Sequence, residues 1–128
     1  MHSISVYLVN KSELRNDKID SLKNGNKSTI RWIEMGSSIL ATTHIPDIKK
    51  WREDKTVAKV ETDYFGGAGN QSAKVFINGK KVLDQSDEFD WSLKPINSAL
   101  KMLGVVKKDG LDEFDTIGLG KRRTNDDF

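Results

Sequence analysis

Hydrophobic residues form short β-rich runs in the first half of the chain. The run "ISVYLV" near the start is rich in β-branched and aromatic residues and predicts a strand. The stretches "TIRWIEM" and "ILATTHI" predict two further strands, which the turn-forming "GSS" separates. The pattern therefore favours a β-sheet as the framework of the fold.

Strict alternation of polar and apolar residues begins at about Val57 and predicts a meander. "QSAKVFI" alternates in the same way, and Asn78-Gly79 is a strong hairpin signal that returns the chain through "KKVLD". We therefore predict three antiparallel strands that end at about Asp84. Residues of the first strand divide between its faces: Ala58, Val60, Thr62 and Tyr64 on one side, and Lys59, Glu61 and Asp63 on the other.

Capping signals predict helices around the strands of the first half. Asn10, with Glu13 three residues later, forms a capping-box pattern and predicts a helix through about Lys23. Pro46-Asp47 predicts the start of a short helical piece that carries Trp51. Both segments would connect neighbouring strands.

Two more helices are predicted towards the end of the chain. Ser92 is placed to cap a helix with Pro95 in its first turn, and Gly104 is the natural stop of that helix. A short helix is predicted after Asp109, within "LDEFDTI". The apolar residues that share one face of the first of these helices are Ile96, Ala99, Leu100 and Leu103.

Composition agrees with one domain over residues 1–128. The chain has 36% apolar and 31% charged residues, and its elements predict an α+β fold: an antiparallel sheet with a central meander and helices packed on it. Cysteine is absent, which excludes disulfides and thiolate chemistry. We find neither a secretory signal nor an apolar run near the roughly 20 residues of a membrane span, so we expect a soluble, cytoplasmic protein.

The charge of the chain is unevenly distributed. The net charge is only +2, which is too small for a dedicated nucleic-acid-binding protein. Residues 84–115, however, carry eight acidic and four basic residues, whereas residues 1–83 carry nine acidic and fourteen basic residues. One acidic segment therefore stands out.

The stretch "ETDYFGGAGNQ", residues 61–71, concentrates carboxylates, aromatic residues and glycines. Its "GGAG" lacks the Lys-Ser/Thr of a P-loop and the spacing of a dinucleotide-binding motif. It also joins two predicted strands, whereas a phosphate site uses the start of a helix. Because glycine turns a chain where φ is positive, we predict a tight corner here rather than a ligand loop.

Glu61 and Asp63 are a candidate acid/base pair. They lie two residues apart on one predicted strand, so their side chains would project from the same face, roughly 6.5–7 Å apart. That separation is compatible with an inverting glycosidase, and it leaves open a small hydrolase. The alternative is an ordinary solvent-facing strand, with Lys59 and Lys74 available to neutralise the carboxylates.

Histidine and the basic segment near residue 121 supply few other candidates. His2 is expected at a fraying end of the chain, and His44 at a strand end. No metal-ligand set or activated nucleophile is visible, so we predict no metal site and no cofactor. The "GKRR" segment leaves open a small RNA-binding regulator, although acidic residues follow it directly. Its basic residues are Lys121, Arg122 and Arg123.

The tryptophans differ in their surroundings. Trp32 alternates with apolar neighbours and is predicted to lie in the core. Trp91 directly follows the acidic run "SDEFD", which is typical of an aromatic anchor in an interface. The alternative is that Trp91 packs under the helix that follows it.

Two blocks of this sequence resemble a family of small bacterial proteins, which pair an "ETDYFGG-G-Q" block with a terminal "DEFD-(hydrophobic)-GLG" block. Some of these look like immunity proteins of polymorphic toxin systems, including contact-dependent growth inhibition. The first block is matched by Glu61, Thr62, Asp63, Tyr64, Phe65, Gly66, Gly67, Gly69 and Gln71. The second is matched by Asp112, Glu113, Phe114, Asp115, Gly118, Leu119, Gly120 and Phe128.

The resemblance implies a non-enzymatic immunity protein that binds the toxin domain of a large secreted effector. No direct contact with nucleic acid, membrane or a small-molecule substrate is implied. We expect a ribonuclease toxin acting on tRNA, whose basic active site an acidic surface would block. The shared blocks have an alternative role in maintaining the fold, with Gln71 bonding the backbone and Phe128 covering the sheet. The expected toxin-binding residues are Asp84, Asp87, Glu88, Asp90, Trp91, Asp109, Asp112 and Glu113.

Overall fold

The structure is a computed structural model, which describes residues 2–13, 32–45, 48–65, 68–88 and 93–128. The helix predicted as far as Lys23 lies largely outside the described residues. The same is true of four other features of the sequence, which are Pro46-Asp47, Gly66-Gly67, Asp90-Trp91 and Ser92.

The strands form an antiparallel sheet, whose inner strands bury apolar residues. Its order is β2-β3-β1-β4-β5-β6, with six strands in the described residues. The central strands β1, β4 and β5 are long, whereas β2 and β3 are short. The strands are β1 (His2–Asn10), β2 (Ile33–Met35), β3 (Ile39–Thr42), β4 (Thr56–Phe65), β5 (Ala68–Ile77) and β6 (Lys80–Ser86).

The predicted meander is confirmed as β4-β5-β6. Strands β4 and β5 pair along their whole length, from Thr56 opposite Ile77 to Phe65 opposite Ala68. Asn78-Gly79 forms the turn into β6 with φ of 49° and 85°, the combination that a two-residue hairpin requires. A register shift between Val75 and Phe76 interrupts the pairing of β5 with β6.

Three α-helices accompany the sheet in the described residues, which confirms the α+β fold and the single domain. They are α1 (Ile48–Asp54), α2 (Pro95–Met102) and α3 (Glu113–Thr116). Short 3-10 helices span Lys11–Glu13, Leu119–Lys121 and Asn125–Asp127. In the part of the chain that the structure describes, no helix is long and apolar enough to cross a membrane.

Helix α2 has the predicted apolar face and the predicted stop. Gly104 follows the helix at φ 89°, and the Val105 N–H donates to the Leu100 carbonyl at 2.9 Å, the bond of a Schellman cap. Lys94 precedes the helix as its N-cap residue, without a side-chain cap. The residues of the apolar face are all buried: Ile96, Ala99, Leu100 and Leu103.

The sheet is covered differently on its two faces. Helices α2 and α3 cover one face, where the main core includes Val6, Val60 and Val75. On the other face, a smaller core lies around Trp32 and Trp51, whose rings stack 5.4 Å apart. Helix α1 carries Trp51, so it covers only the end of that face where this core lies. The prediction that Trp32 lies in the core is confirmed.

A segment near residue 124 fills a gap beside β1. Because β3 pairs with β1 only at residues 7–10, the first half of β1 has a free edge. Ser3 pairs there with Thr124, and the Ser3 N–H donates to the Arg123 carbonyl at 2.7 Å. The Asp127 carboxylate accepts the backbone N–H groups of Arg123 and Thr124, which lowers its pKa below the ordinary aspartate value.

Candidate functional site

The first sequence block forms a hydrogen-bond network that includes Asp87. The carboxylate of Asp87 accepts the backbone N–H of Gln71 at 2.8 Å and the hydroxyl of Tyr64 at 3.3 Å. The Gln71 side chain donates to the same hydroxyl and accepts the N–H of Ile96 at 3.1 Å. Burial, together with the nearby Asp87 charge, raises the pKa of Tyr64. Gln71 therefore binds backbone, as predicted, and ties the sheet to the start of α2.

Gly69 is the glycine of this block that the structure describes, and its surroundings are tight. Its φ is 146°, and a Cβ built on it would lie 1.8 Å from the carbonyl oxygen of Asp63 on the neighbouring strand. Only glycine permits this approach of two backbones. Gly66-Gly67, which the predicted corner contains, lies outside the described residues. The paired ends of β4 and β5 at Phe65 and Ala68 are nevertheless those of a hairpin.

The second block builds α3 and attaches it to α2. Asp112 caps α3, since its Oδ1 accepts the N–H of Asp115 at 2.8 Å, and its Oδ2 accepts the Asn97 side-chain N–H at 3.1 Å. The side-chain amide oxygen Oδ1 of Asn97 in turn accepts the Phe114 N–H at 2.9 Å. Asp112 therefore fixes the position of α3 against α2, and the block maintains the fold.

His2 connects the two blocks, which differs from the fraying end expected from the sequence. Its Nδ1 lies 2.6 Å from Thr62 Oγ1, and its Nε2 lies 3.2 Å from the carbonyl oxygen of Leu119. Its ring centroid lies 5.7 Å from that of Phe114. His2 is held in place by a residue that is distant in the sequence. Tyr64 on β4 pairs with it, so β1 already begins at His2. Phe128 is buried in the same core, as predicted.

Two of the expected toxin-binding carboxylates are buried, so they do not belong to an exposed acidic surface. Asp87 is 8% exposed, and its carboxylate already accepts hydrogen bonds from Tyr64 and Gln71. Glu113 is 4% exposed, and its carboxylate lies 3.7 Å from the Lys101 ammonium. Both carboxylates stabilise the fold from within, which corrects the sequence-based expectation for these residues.

The other expected toxin-binding residues have varied surroundings. Asp84 is exposed, but its carboxylate lies 2.8 Å from the Lys81 ammonium, which lowers its pKa. Glu88, Asp109 and Asp112 are exposed to solvent. Asp90 and Trp91 lie outside the described residues, so the predicted anchor is not placed.

The exposed carboxylates of the acidic segment lie on two sides of the sheet, which corrects the expectation of a single patch. Asp109 and Asp112 lie beside α3, on the side that carries the helices. Asp84 pairs with Lys74 and Ser86 with Ser72, so Asp84 and Ser86 lie on the opposite side. Glu88, whose N–H donates to the Ser86 hydroxyl, follows the end of β6.

The face opposite α2 and α3 contains a polar groove of about 340 Å³ in the part that α1 leaves uncovered. Cross-strand pairs place Asp63 between Ser3 and Asn70, and Glu61 between Ser5 and Ser72. The sequence pattern indicated the two carboxylates but not the rest of the groove, because neighbouring strands and the segment near residue 125 supply it. The groove is lined by Ser3, Ile4, Ser5, Glu61, Thr62, Asp63, Asn70, Ser72 and Asn125.

Glu61 and Asp63 supply the charge of this groove. Among the described residues, neither carboxylate makes a salt bridge. Lys59, which the sequence suggested as a neutralising partner, instead lies 4.0 Å from the centre of the Tyr7 ring. Lys74 pairs across the strands with Asp84. The groove is therefore negatively charged and open to solvent.

The basic segment near residue 121 is partly used within the fold. Arg122 donates to the backbone carbonyl of Asp127 and lies 5.6 Å from the centre of the Phe128 ring. Lys121 and Arg122 border a second groove of about 370 Å³, which Glu34 and Asp127 also line. This surface mixes both signs of charge, which does not favour binding to a nucleic-acid backbone.

Neither a metal site nor a recognised relative identifies the function. The part of the chain that the structure describes contains no group of three or more histidine, aspartate or glutamate residues arranged to hold a metal ion. His44 lies exposed just beyond β3. Comparisons of the chain with protein-family models, with curated proteins and with solved structures find no match in any of the three.

Proposed function

We propose that this protein is a cytoplasmic immunity protein, which binds and neutralises the C-terminal toxin domain of a contact-dependent growth inhibition effector. The resemblance of the two sequence blocks suggests the family. The contacts of those blocks support a common structural unit, because His2 touches residues of both: Thr62 in the first, and Phe114 and Leu119 in the second.

The observation that carries the proposal is that exposed carboxylates lie on a strand and a helix that hydrogen bonds hold in place. Glu61 and Asp63 project from a strand that is paired on both sides, and Asp112 is held by the cap of α3 and by Asn97. Fixed negative groups lose little freedom when a partner binds, and they attract a cationic protein over a distance. A ribonuclease that holds tRNA phosphates has such a cationic cleft.

The two alternative functions have weaker support. A small hydrolase would use Glu61 and Asp63, which do share one groove, but no further catalytic group is identified there. An RNA-binding regulator would use Lys121, Arg122 and Arg123. Arg122 packs on Phe128, so this segment presents fewer free cations than its sequence suggests.

The test is protection of growing cells. The probe is the C-terminal domain of the large effector that the proposal places immediately upstream of this gene. Expression of that domain alone should stop bacterial growth, and co-expression of the present protein should restore it. The purified pair should form a complex whose Kd rises about tenfold between 50 and 250 mM salt, since the attraction is between opposite charges.

Two results would contradict the proposal. One is the absence of an effector gene upstream. The other is growth arrest that persists although this protein is present at a level equal to or above that of the toxin domain. An unrelated immunity protein, expressed from the same vector, provides the control for non-specific protection.

A further inference from the structure

We propose that the groove around Glu61 and Asp63 is the principal toxin-binding surface, and that it receives an arginine or lysine side chain from the toxin. This inference rests on the proposed function and places the interface on the face of the sheet opposite α2 and α3. It differs from the surface expected from the acidic segment of the sequence, since Asp109 and Asp112 lie beside α3 on the other face, and Asp84 on this face is paired with Lys81.

Part of the sheet is left uncovered on the face opposite α2 and α3. Helices α2 and α3 bury one face, and α1 with Trp32 buries one end of the other. The remaining surface is formed by β1, β4 and β5, whose side chains there are polar. Strand β4, at the centre of this surface, pairs with β1 on one side and with β5 on the other, so Glu61 and Asp63 are held in place and are exposed to solvent.

The groove carries negative charge. Glu61 and Asp63 are the charged residues of the groove lining, and both are negative and exposed. Lys59 is directed onto the Tyr7 ring, and Lys74 lies opposite Asp84. A cationic side chain that enters the groove therefore meets two carboxylates that form no salt bridge within the described part of the chain. Charge complementarity of this kind selects a basic partner and increases its rate of association.

Uncharged residues of the groove lining offer hydrogen-bond acceptors. Asn70, Ser72 and Ser5 flank the carboxylates and offer amide and hydroxyl oxygens. Arginine carries five N–H donors in a flat fork, which a carboxylate pair with neighbouring oxygens can satisfy. The groove volume of about 340 Å³ corresponds to roughly ten waters at ~30 Å³ each, which gives room for one long side chain.

The experiment compares three double charge reversals in the complete protein. Glu61→Lys with Asp63→Lys changes the groove, and Asp109→Lys with Asp115→Lys changes the surface beside α3. Glu53→Lys with Asp54→Lys, at the exposed end of α1, is the matched control. Each reverses two exposed carboxylates, so the change in net charge is the same. Kd for the upstream effector domain is measured by calorimetry at 100 mM salt.

We expect the groove variant to raise Kd at least tenfold, and the α1 variant to change it less than twofold. The milder pair Glu61→Gln with Asp63→Asn should give a smaller increase, which keeps the test valid if the lysine variant unfolds. The inference is overturned if the wild-type protein protects cells but the groove variants bind equally well, or if only the α3 variant weakens binding. Failure of the wild-type protein to protect cells contradicts the proposed function itself.

Discussion

Replacement of Gly69 by alanine should destabilise the protein by about 3 kcal/mol or more. The new Cβ would lie 1.8 Å from the Asp63 carbonyl oxygen, so β4 and β5 would have to separate at this point. The φ of 146° adds backbone strain for any residue with a side chain. Denaturant unfolding followed by circular dichroism measures the loss, and Tm should fall by roughly 10 °C.

Gly110→Ala is the matched control for this replacement. Gly110 also has a positive φ, 80°, but a Cβ on it would meet nothing within 4 Å. Only the left-handed backbone then costs free energy, about 1 kcal/mol. Equal losses in the two variants would show that the contact with Asp63 is not what requires glycine at position 69.

Replacement of Asp87 by alanine should cost about 2–3 kcal/mol of folding free energy. The change would leave the Gln71 N–H and the Tyr64 hydroxyl without their acceptor in a partly buried site. Asp87→Asn keeps one acceptor oxygen and should cost less, about 1 kcal/mol. Chemical denaturation at pH 7 gives these values directly.

Glu88→Ala provides the comparison, because Glu88 is exposed one residue further along the chain. We expect it to change the stability by less than about 0.5 kcal/mol. If Asp87→Ala were as stable as the wild-type protein but bound the effector domain more weakly, Asp87 would be a contact residue rather than a structural one. That result would support the acidic segment as the toxin-binding surface, as expected from the sequence.

Local patterns in the sequence were sufficient to predict most of the elements. Alternation separated the two faces of β4 because one face packs under α2 and the other meets solvent. Asn78-Gly79 predicted its hairpin, and Gly104 the end of α2, because each of these positions requires a positive φ. These are short-range requirements, so a short stretch of sequence contains them.

The burial of Asp87 could not be predicted in this way. The register of β5 with β6 shifts between Val75 and Phe76, and a shift of one residue moves side chains to the other face. Alternation counted along β6 from the hairpin turn at Asn78-Gly79 therefore depends on where that irregularity lies. The acidic run itself gives no sign that Asp87 would meet Tyr64 and Gln71.

For a related reason, the sequence predicted only part of the groove lining. Glu61 and Asp63 were identified as a pair by their spacing on one strand. Ser3 and Asn70, however, reach them through pairing of strands that are far apart in the sequence. Asn125 joins because β3 is too short to cover the edge of β1. Long-range pairing of this kind leaves no local signal.

Mapping of the contact surface in solution would show whether the toxin occupies the groove around Glu61 and Asp63. Amide NMR spectra of the complete protein would be recorded with and without the effector domain. We expect the largest shift changes at residues 3–5, 61–63 and 70–72, with little change along α1. Changes confined to α3 and the preceding loop, or to β2 and β3, would contradict the assignment of the groove as the toxin-binding surface.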